Sequence, residues 1–113
     1  MTNATQSLAS PKPLRQLPLD ADGFVIDPHL WSPGMSRAIA RRDNMRLTPE
    51  HWSIIYFMRE HHLASGAIPP VSHVCRAQGL DRQAVRRLFG SCRDAWRIAG
   101  LPNPGTEVLA YMN

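Results

Sequence analysis

The order of apolar and polar positions predicts a mainly helical chain with one central helix. Thr48, Pro49 and Glu50 form a strong helix start, because they supply an N-cap, a proline at the first helical position and an acid in the first turn. The helix is predicted to continue until Gly66 stops it. Residues 52–58 are apolar on nearly every side, which is typical of a helix surrounded by other helices.

Shorter elements are predicted before this helix. Ser32 and Pro33 can cap and open a short helix that continues through Arg42. Upstream of it, the Asp-Gly turn at 22–23 lies between two short apolar runs, and Pro28 ends the second run. This pattern predicts an N-terminal β-hairpin.

The segment from Pro70 to Phe89 has the spacing of a helix-turn-helix, with Gly79 at the turn. A helix turns by about 100° per residue, so the second helix would carry polar and apolar side chains on opposite faces. The polar face consists of Arg82, Gln83, Arg86 and Arg87. These side-chain types contact phosphates and read base edges, which leaves three interpretations open: a DNA-binding face, a basic docking face for a protein, or a solvated surface.

The two ends of the chain differ in composition from the middle. A last short helix is expected over about residues 93–99, and the segment 101–113, with two prolines and a glycine, is predicted to be an extended, flexible arm. Residues 1–18 are polar, contain three prolines and are predicted to be a disordered leader. The fold class is therefore mainly α. Residues 19–100 are expected to form a small orthogonal helical domain with a hairpin and a helix-turn-helix-like segment.

Length and composition limit what the chain can be. It has 113 residues, of which 43% are apolar, enough for one modest core. No apolar stretch approaches the roughly 18 residues of a membrane helix, and the polar start does not resemble a secretory signal. The two cysteines, Cys75 and Cys92, are expected to be reduced thiols in the cytoplasm.

The positive charge is concentrated in one part of the chain. The formal net charge is +4, and residues 76–97 hold six arginines but only two acids. The rest of the chain sums to zero. This local excess adds Arg93 and Arg97 to the candidate residues for binding an anionic partner.

No pattern predicts a bound metal or cofactor. The five histidines and two cysteines do not form a His-Glu-x-x-His or Cys-x-x-Cys spacing, and there is no glycine-rich phosphate loop. The histidines are expected to be ordinary, partly exposed side chains.

Five short motifs in the right order resemble the DsrC/TusE sulfur-relay family, also called the gamma subunit of dissimilatory sulfite reductase. They cover most of the chain, about residues 19–108, and lie at 20–27, 47–52, 68–70, 88–89 and 98–104. The resemblance implies a small helical domain with a mobile C-terminal arm. It also implies that a penultimate cysteine on this arm carries sulfur as a persulfide.

The chain departs from the family at the positions that carry this chemistry. Placing residues 98–100 in register puts Trp96 at the upstream cysteine of the family and Glu107 at the terminal cysteine. Neither side chain can hold sulfane sulfur, which argues against an enzymatic role. The resemblance then implies a binding or regulatory module that docks to sulfur-relay or sulfite-reductase-type proteins. A helix-turn-helix DNA-binding regulator is the alternative.

A second alternative is a sulfurtransferase that uses Cys92. This thiol is predicted at the start of the last helix, near Arg93 and Arg97, and both a helix N-terminus and nearby cations lower the pKa of a thiol. Cys75, in contrast, occupies the small buried position of the helix-turn-helix and is predicted to be an inert core thiol. Trp96 is expected to pack the arm against the body of the domain.

Overall fold

The computed structural model describes residues 18–81 and 83–112, and it confirms a small, mainly helical fold. A 3₁₀ turn, Pro28–Leu30, precedes the α-helices. Within the described residues the α-helices are α1 (Pro33–Arg42), α2 (Pro49–Ser65), α3 (Val71–Ala77), α4 (Ala84–Phe89), α5 (Cys92–Ile98) and α6 (Thr106–Leu109). No helix in this part of the chain is long and apolar enough to span a membrane.

Helix α2 lies at the centre, as predicted. It packs against α3, α4 and α5, while α1 packs against α5. Its inward side chains Ile54, Ile55 and Met58 are buried. Gly66 ends the helix in the left-handed conformation, with φ of 75°.

The N-terminus of α2 is joined to the end of α4 by a buried histidine. The Nδ1 atom of His51 accepts a hydrogen bond of 3.0 Å from the backbone N–H of Thr48, which completes a capping box. On the other side of the ring, Nε2 lies 2.7 Å from the carbonyl oxygen of Leu88. A carbonyl only accepts, so this ring carries its proton on Nε2. The ring also packs edge-on against Phe89, at 4.9 Å between centroids.

The predicted N-terminal β-hairpin is wrong. The described residues contain no strand, only a single antiparallel bridge between Leu19 and Val25. Asp20 closes the turn with its own side chain, which accepts hydrogen bonds from two backbone amides. Phe24 and Val25 are neighbours in sequence and both are buried, whereas a strand would point them to opposite faces. The segment therefore packs into the core as a loop.

The helix-turn-helix is not supported either. Helix α4 begins at Ala84, because the Asp81 carboxylate and carbonyl accept from the amides of Gln83 and Ala84 and hold a turn there. The helix ends at Gly90 and has fewer than two turns. Arg82 lies outside the described residues, and Gln83 occupies the N-cap instead of a helical face.

The segment after Gly100 is folded back instead of being extended throughout. It contains the single helical turn α6, and the backbone N–H of Arg93 donates to the carbonyl of Met112 over 2.8 Å. The Met112 side chain is buried, with 4% of its surface exposed. The mobility of this segment stays a prediction. The leader, apart from Pro18, lies outside the described residues.

Candidate functional site

The candidate site is the junction between α5 and the C-terminal segment, residues 96–107, where the family resemblance places the carrier cysteines. Trp96 is buried on the inner face of α5, with 2% of its surface exposed. Its Nε1 donates to the carbonyl of Pro102 over 2.8 Å, and its ring packs edge-on against His62. Trp96 therefore fastens the first residues of the C-terminal segment to the body, as the sequence predicts.

Side chains from α1 and α2 capture three successive carbonyls at this junction. Ser36 on α1 donates to the carbonyl of Ile98 over 2.6 Å. Arg59 on α2 donates through Nη1 to the carbonyls of Ala99 and Gly100, over 3.1 and 2.9 Å. The carbonyls at the end of α5, which lack partners within the helix, are thus satisfied by buried donors.

Arg59 is a buried cation held by carbonyls and an aromatic ring. Only 6% of its surface is exposed. Its Nη2 donates to the carbonyl of Pro28 over 2.8 Å, and its guanidinium carbon lies 4.0 Å from the centre of a Trp31 ring. Burial lowers the pKa of Arg59, and Tyr56 opposes this shift. An arginine nevertheless stays protonated in proteins.

Gly100 lets Trp31 close over the junction. The φ angle of Gly100 is 76°, in the left-handed region that favours glycine. A β-carbon at this residue would lie 2.0 Å from Cδ1 of Trp31, which no side chain could tolerate. The indole Nε1 of Trp31 also donates to Ser36 over 2.7 Å. Trp31, Ser36, Arg59 and Gly100 therefore form one packed unit.

The sequence pattern does not single out Trp31, Ser36 or Arg59. One signal could have drawn attention to Arg59, because it directly follows the apolar centre of α2, next to the buried Met58. A charged residue on the inward side of a central helix needs buried partners. Its partners are between 31 and 41 residues away in sequence, so only the fold identifies them.

Asn103 connects the C-terminal segment to the loop at residues 20–23. Its Nδ2 donates to Asp20 Oδ2 over 3.2 Å and to Asp22 Oδ2 over 3.0 Å, and its Oδ1 accepts from the N–H of Gly105. Burial alone would raise the pKa of Asp20. Hydrogen bonds from the amide of Phe24 and from Asn103 outweigh burial and lower this pKa.

Glu107, which the resemblance puts at the position of the family's terminal cysteine, is exposed in the first turn of α6. A carboxylate near a helix N-terminus is electrostatically favourable, so Glu107 suits its local backbone. It has no sulfur atom with which to accept a sulfane sulfur. The position is therefore open to a partner but chemically inert toward sulfur transfer.

Both thiols are at least partly buried. Cys75 is buried, with 1% of its surface exposed. Cys92 is the first residue of α5 and is partly buried. Burial raises the pKa of Cys92, the neighbouring Cys75 raises it further, and Arg86 only partly opposes this. The prediction of a lowered pKa at Cys92 is wrong, because loss of solvent outweighs the nearby cation.

Two arginines of the predicted basic face, Arg87 and Arg97, form ion pairs. Arg87 pairs with Asp81 over 3.1 Å, and both side chains are largely exposed. Arg97 turns inward and pairs with Asp94 over 2.9 Å and with Asp43. Burial lowers the pKa of Arg97, but hydrogen bonds to these two carboxylates raise it overall. Arg97 is therefore a structural residue.

Two other members of the predicted face, Arg86 and Arg93, lie on helices that pack against each other, α4 and α5. Arg86 is exposed on α4 and its charge acts on Cys92. Arg93 is partly buried on α5, beside the returning C-terminal segment. Within residues 18–81 and 83–112, no group of three or more His, Cys, Asp or Glu side chains could hold a metal ion.

Comparison with known proteins establishes the class of protein. The family model described as DsrC like protein matches residues 14–108, so this chain belongs to the DsrC family. Solved structures that resemble this chain support the same family assignment. The oxidized gamma-subunit of dissimilatory sulfite reductase (DsrC) from Archaeoglobus fulgidus has a TM-score of 0.70 and 33% sequence identity. The match covers 80% of this chain and 90% of the Archaeoglobus protein. Allochromatium vinosum DsrC has a TM-score of 0.66 and 31% sequence identity. The match covers 78% of this chain and 87% of the Allochromatium protein.

Curated relatives in bacteria carry a second name. The chain is 31% identical over 94 residues to a sulfurtransferase TusE homolog of Haemophilus influenzae, which covers 75% of this chain and 86% of the relative. It is 32% identical over 98 residues to sulfurtransferase TusE of Sodalis glossinidius. This match covers 79% of this chain and 91% of the relative. The resemblance stated from the sequence motifs is therefore confirmed.

Proposed function

We propose that this chain is a DsrC/TusE-like protein of the cytoplasm that has kept the family scaffold and lost sulfur transfer. It acts as a binding or regulatory module that docks to sulfur-relay or sulfite-reductase-type proteins. The observation that carries the proposal is Glu107, which stands exposed at the position where the family resemblance expects the terminal carrier cysteine.

The placement of the two thiols supports this loss. A carrier thiol must be a thiolate that attacks a donor sulfur and is then attacked in turn, so it needs access and a low pKa. Cys75 lacks access, and burial raises the pKa of Cys92. The resemblance puts Trp96 at the second thiol position of the family. Its indole N–H donates a hydrogen bond to the carbonyl of Pro102.

The junction itself supports a retained docking role. The buried donors Ser36, Arg59 and Trp96 hold residues 98–102 in one conformation. These hydrogen bonds place the start of the C-terminal segment against the helical body, where a partner protein can contact it. The partners are proteins of the kind named for the relatives, a sulfite reductase or a sulfur relay.

Competition tests the docking role. A sulfur-carrying DsrC or TusE protein is bound to its partner, and this chain is added in increasing amounts. We expect this chain to displace the carrier, and the Asn103→Ala variant, which loses the hydrogen bonds of the C-terminal segment to Asp20 and Asp22, to displace it less well. No displacement by the folded full-length chain would overturn the docking role.

A further inference from the structure

A basic cleft on the described part of the chain is not used by the proposed function. It lies between α1, the loop that follows it and the start of α2, and it encloses about 300 Å³. Arg37, Arg41 and Arg46 line it, and the side chains of Met45, Leu47 and Trp52 provide apolar walls. It shares no residue with the predicted basic face at 76–97.

The fold brings together charges that are dispersed in the sequence. Arg37 and Arg41 are one helical turn apart on α1. The chain then turns at Asn44, whose φ of 56° is in the left-handed region, and this turn leads Arg46 back to the same cleft. All three arginines are exposed, and no carboxylate lines the cleft.

The charges of the cleft are not neutralised within the described residues. None of its three arginines forms an ion pair there. Arg37 instead lies over the ring of Trp52, at 5.1 Å from the ring centre. Three like charges around one cleft repel each other, and an anionic group bound between them would remove that repulsion.

The walls of the cleft favour a protein segment over a nucleic acid. A single-stranded nucleic acid needs open aromatic faces on which its bases can stack. Trp52 is half-buried, and Arg37 already covers its ring. An apolar wall bordered by arginines and a tryptophan instead matches the composition of protein–protein binding hot spots.

Neither end of the given sequence is acidic. Residues 1–17 contain no Asp or Glu, and residues 101–113 contain only Glu107. Charge complementarity therefore favours an acidic segment of another protein as the ligand.

We propose that this cleft binds an acidic segment of a partner protein. One apolar side chain of the segment lies against Met45, Leu47 and Trp52, and flanking carboxylates pair with Arg37, Arg41 and Arg46. The inference extends the proposed docking role. The competition experiment tests that role separately, because it measures displacement of a sulfur-carrying relative and not binding of a peptide to the cleft.

Nuclear magnetic resonance of the ¹⁵N-labelled full chain can locate the site directly. The probe is a short synthetic peptide with a single leucine flanked by glutamates on both sides. The three tryptophans give three indole N–H signals. We expect the peptide to shift the Trp52 indole and the amides of residues 37–47. The Trp96 indole, which is hydrogen-bonded inside the domain, should not move and also reports that the domain is folded.

A matched pair of triple variants decides between this site and general charge attraction. Replacing Arg37, Arg41 and Arg46 by Gln should weaken peptide binding by about tenfold, as expected for several exposed charge pairs. Replacing Arg76, Arg86 and Arg87 by Gln removes the same charge elsewhere and should leave binding nearly unchanged. Three outcomes would overturn the proposal: no Trp52 shift, equal weakening by both variants, or a larger shift with an oligouridine RNA than with the peptide.

Discussion

Trp31 lies so close over Gly100 that a β-carbon at residue 100 would fall 2.0 Å from its Cδ1 atom. This contact closes the junction between the helical body and the C-terminal segment. It also places the indole nitrogen of Trp31 within 2.7 Å of Ser36, whose hydroxyl in turn donates to the carbonyl of Ile98. The ring position that brings Trp31 against Gly100 is therefore the same one that allows its hydrogen bond to Ser36.

Gly100→Ala should destabilise the fold strongly. The new methyl group clashes with Trp31 and also forces a left-handed backbone on alanine, so we expect a loss of about 3 kcal/mol in the free energy of unfolding by urea. Gly66→Ala is the matched control, because Gly66 has nearly the same φ but its β-carbon would meet nothing within 4 Å. It should lose about 1 kcal/mol. Equal losses would contradict the role of the Trp31 contact.

Arg59→Met should reduce the stability of the fold, because it leaves three backbone carbonyls without their hydrogen-bond donor. Methionine fills a similar volume but leaves the carbonyls of Pro28, Ala99 and Gly100 without their donor. We expect the free energy of unfolding to fall by about 3 kcal/mol. Arg42→Met, at an exposed position at the end of α1, should change it by less than about 0.5 kcal/mol. A variant at Arg59 as stable as the wild type would show that these hydrogen bonds contribute nothing.

Asp20→Asn should reduce stability in a pH-dependent way. The folded-state pKa of Asp20 is below its value in the unfolded chain, so its carboxylate stabilises the fold at pH values above the unfolded pKa. That contribution is lost as the pH falls through the folded-state pKa. Urea unfolding should therefore separate wild type and variant near pH 7 and bring them together as the pH falls through the folded-state pKa. Glu60→Gln, an exposed control, should show no such convergence.

Asn103→Ala should loosen the docking of the C-terminal segment. The substitution removes the hydrogen bonds to Asp20 and Asp22 while leaving Trp96 and Arg59 in place. The amide of Arg93, which donates to Met112 at the far end of the segment, is the reporter. We expect its hydrogen exchange to become about tenfold faster. Thr106→Ala, exposed on α6, should leave that rate unchanged, and an unchanged rate in the Asn103 variant would contradict the link.

Helix positions that depend on local signals could be predicted from the sequence. Thr48 and Pro49 start α2 and Gly66 stops it, because caps, a first-turn proline and a left-handed glycine act on the nearest residues. Pro33 and Arg42 likewise bound α1 as expected. The family could also be recognised, because several short motifs occur in the expected order.

Features that depend on distant contacts could not be predicted. The Asp22-Gly23 turn has the composition of a hairpin turn, but the described residues form only one bridge there, between Leu19 and Val25, and the segment packs Phe24 and Val25 into the core. At the candidate site, the packing of Trp96 against the C-terminal segment agrees with the sequence-based expectation. The role of Arg59 could not be predicted, because it depends on carbonyls that only the folded chain brings to it.

The measurement that tests the loss of sulfur transfer most directly is intact-protein mass spectrometry after incubation with polysulfide. Wild type, Cys92→Ser and Glu107→Cys are compared, and the last variant restores a thiol at an exposed position of the C-terminal segment. We predict no added sulfur on the wild type or on the Cys92 variant, and one added sulfur atom on Glu107→Cys. A wild-type chain that gains sulfur, and loses that gain when Cys92 is replaced, would contradict the account and restore a carrier role to Cys92.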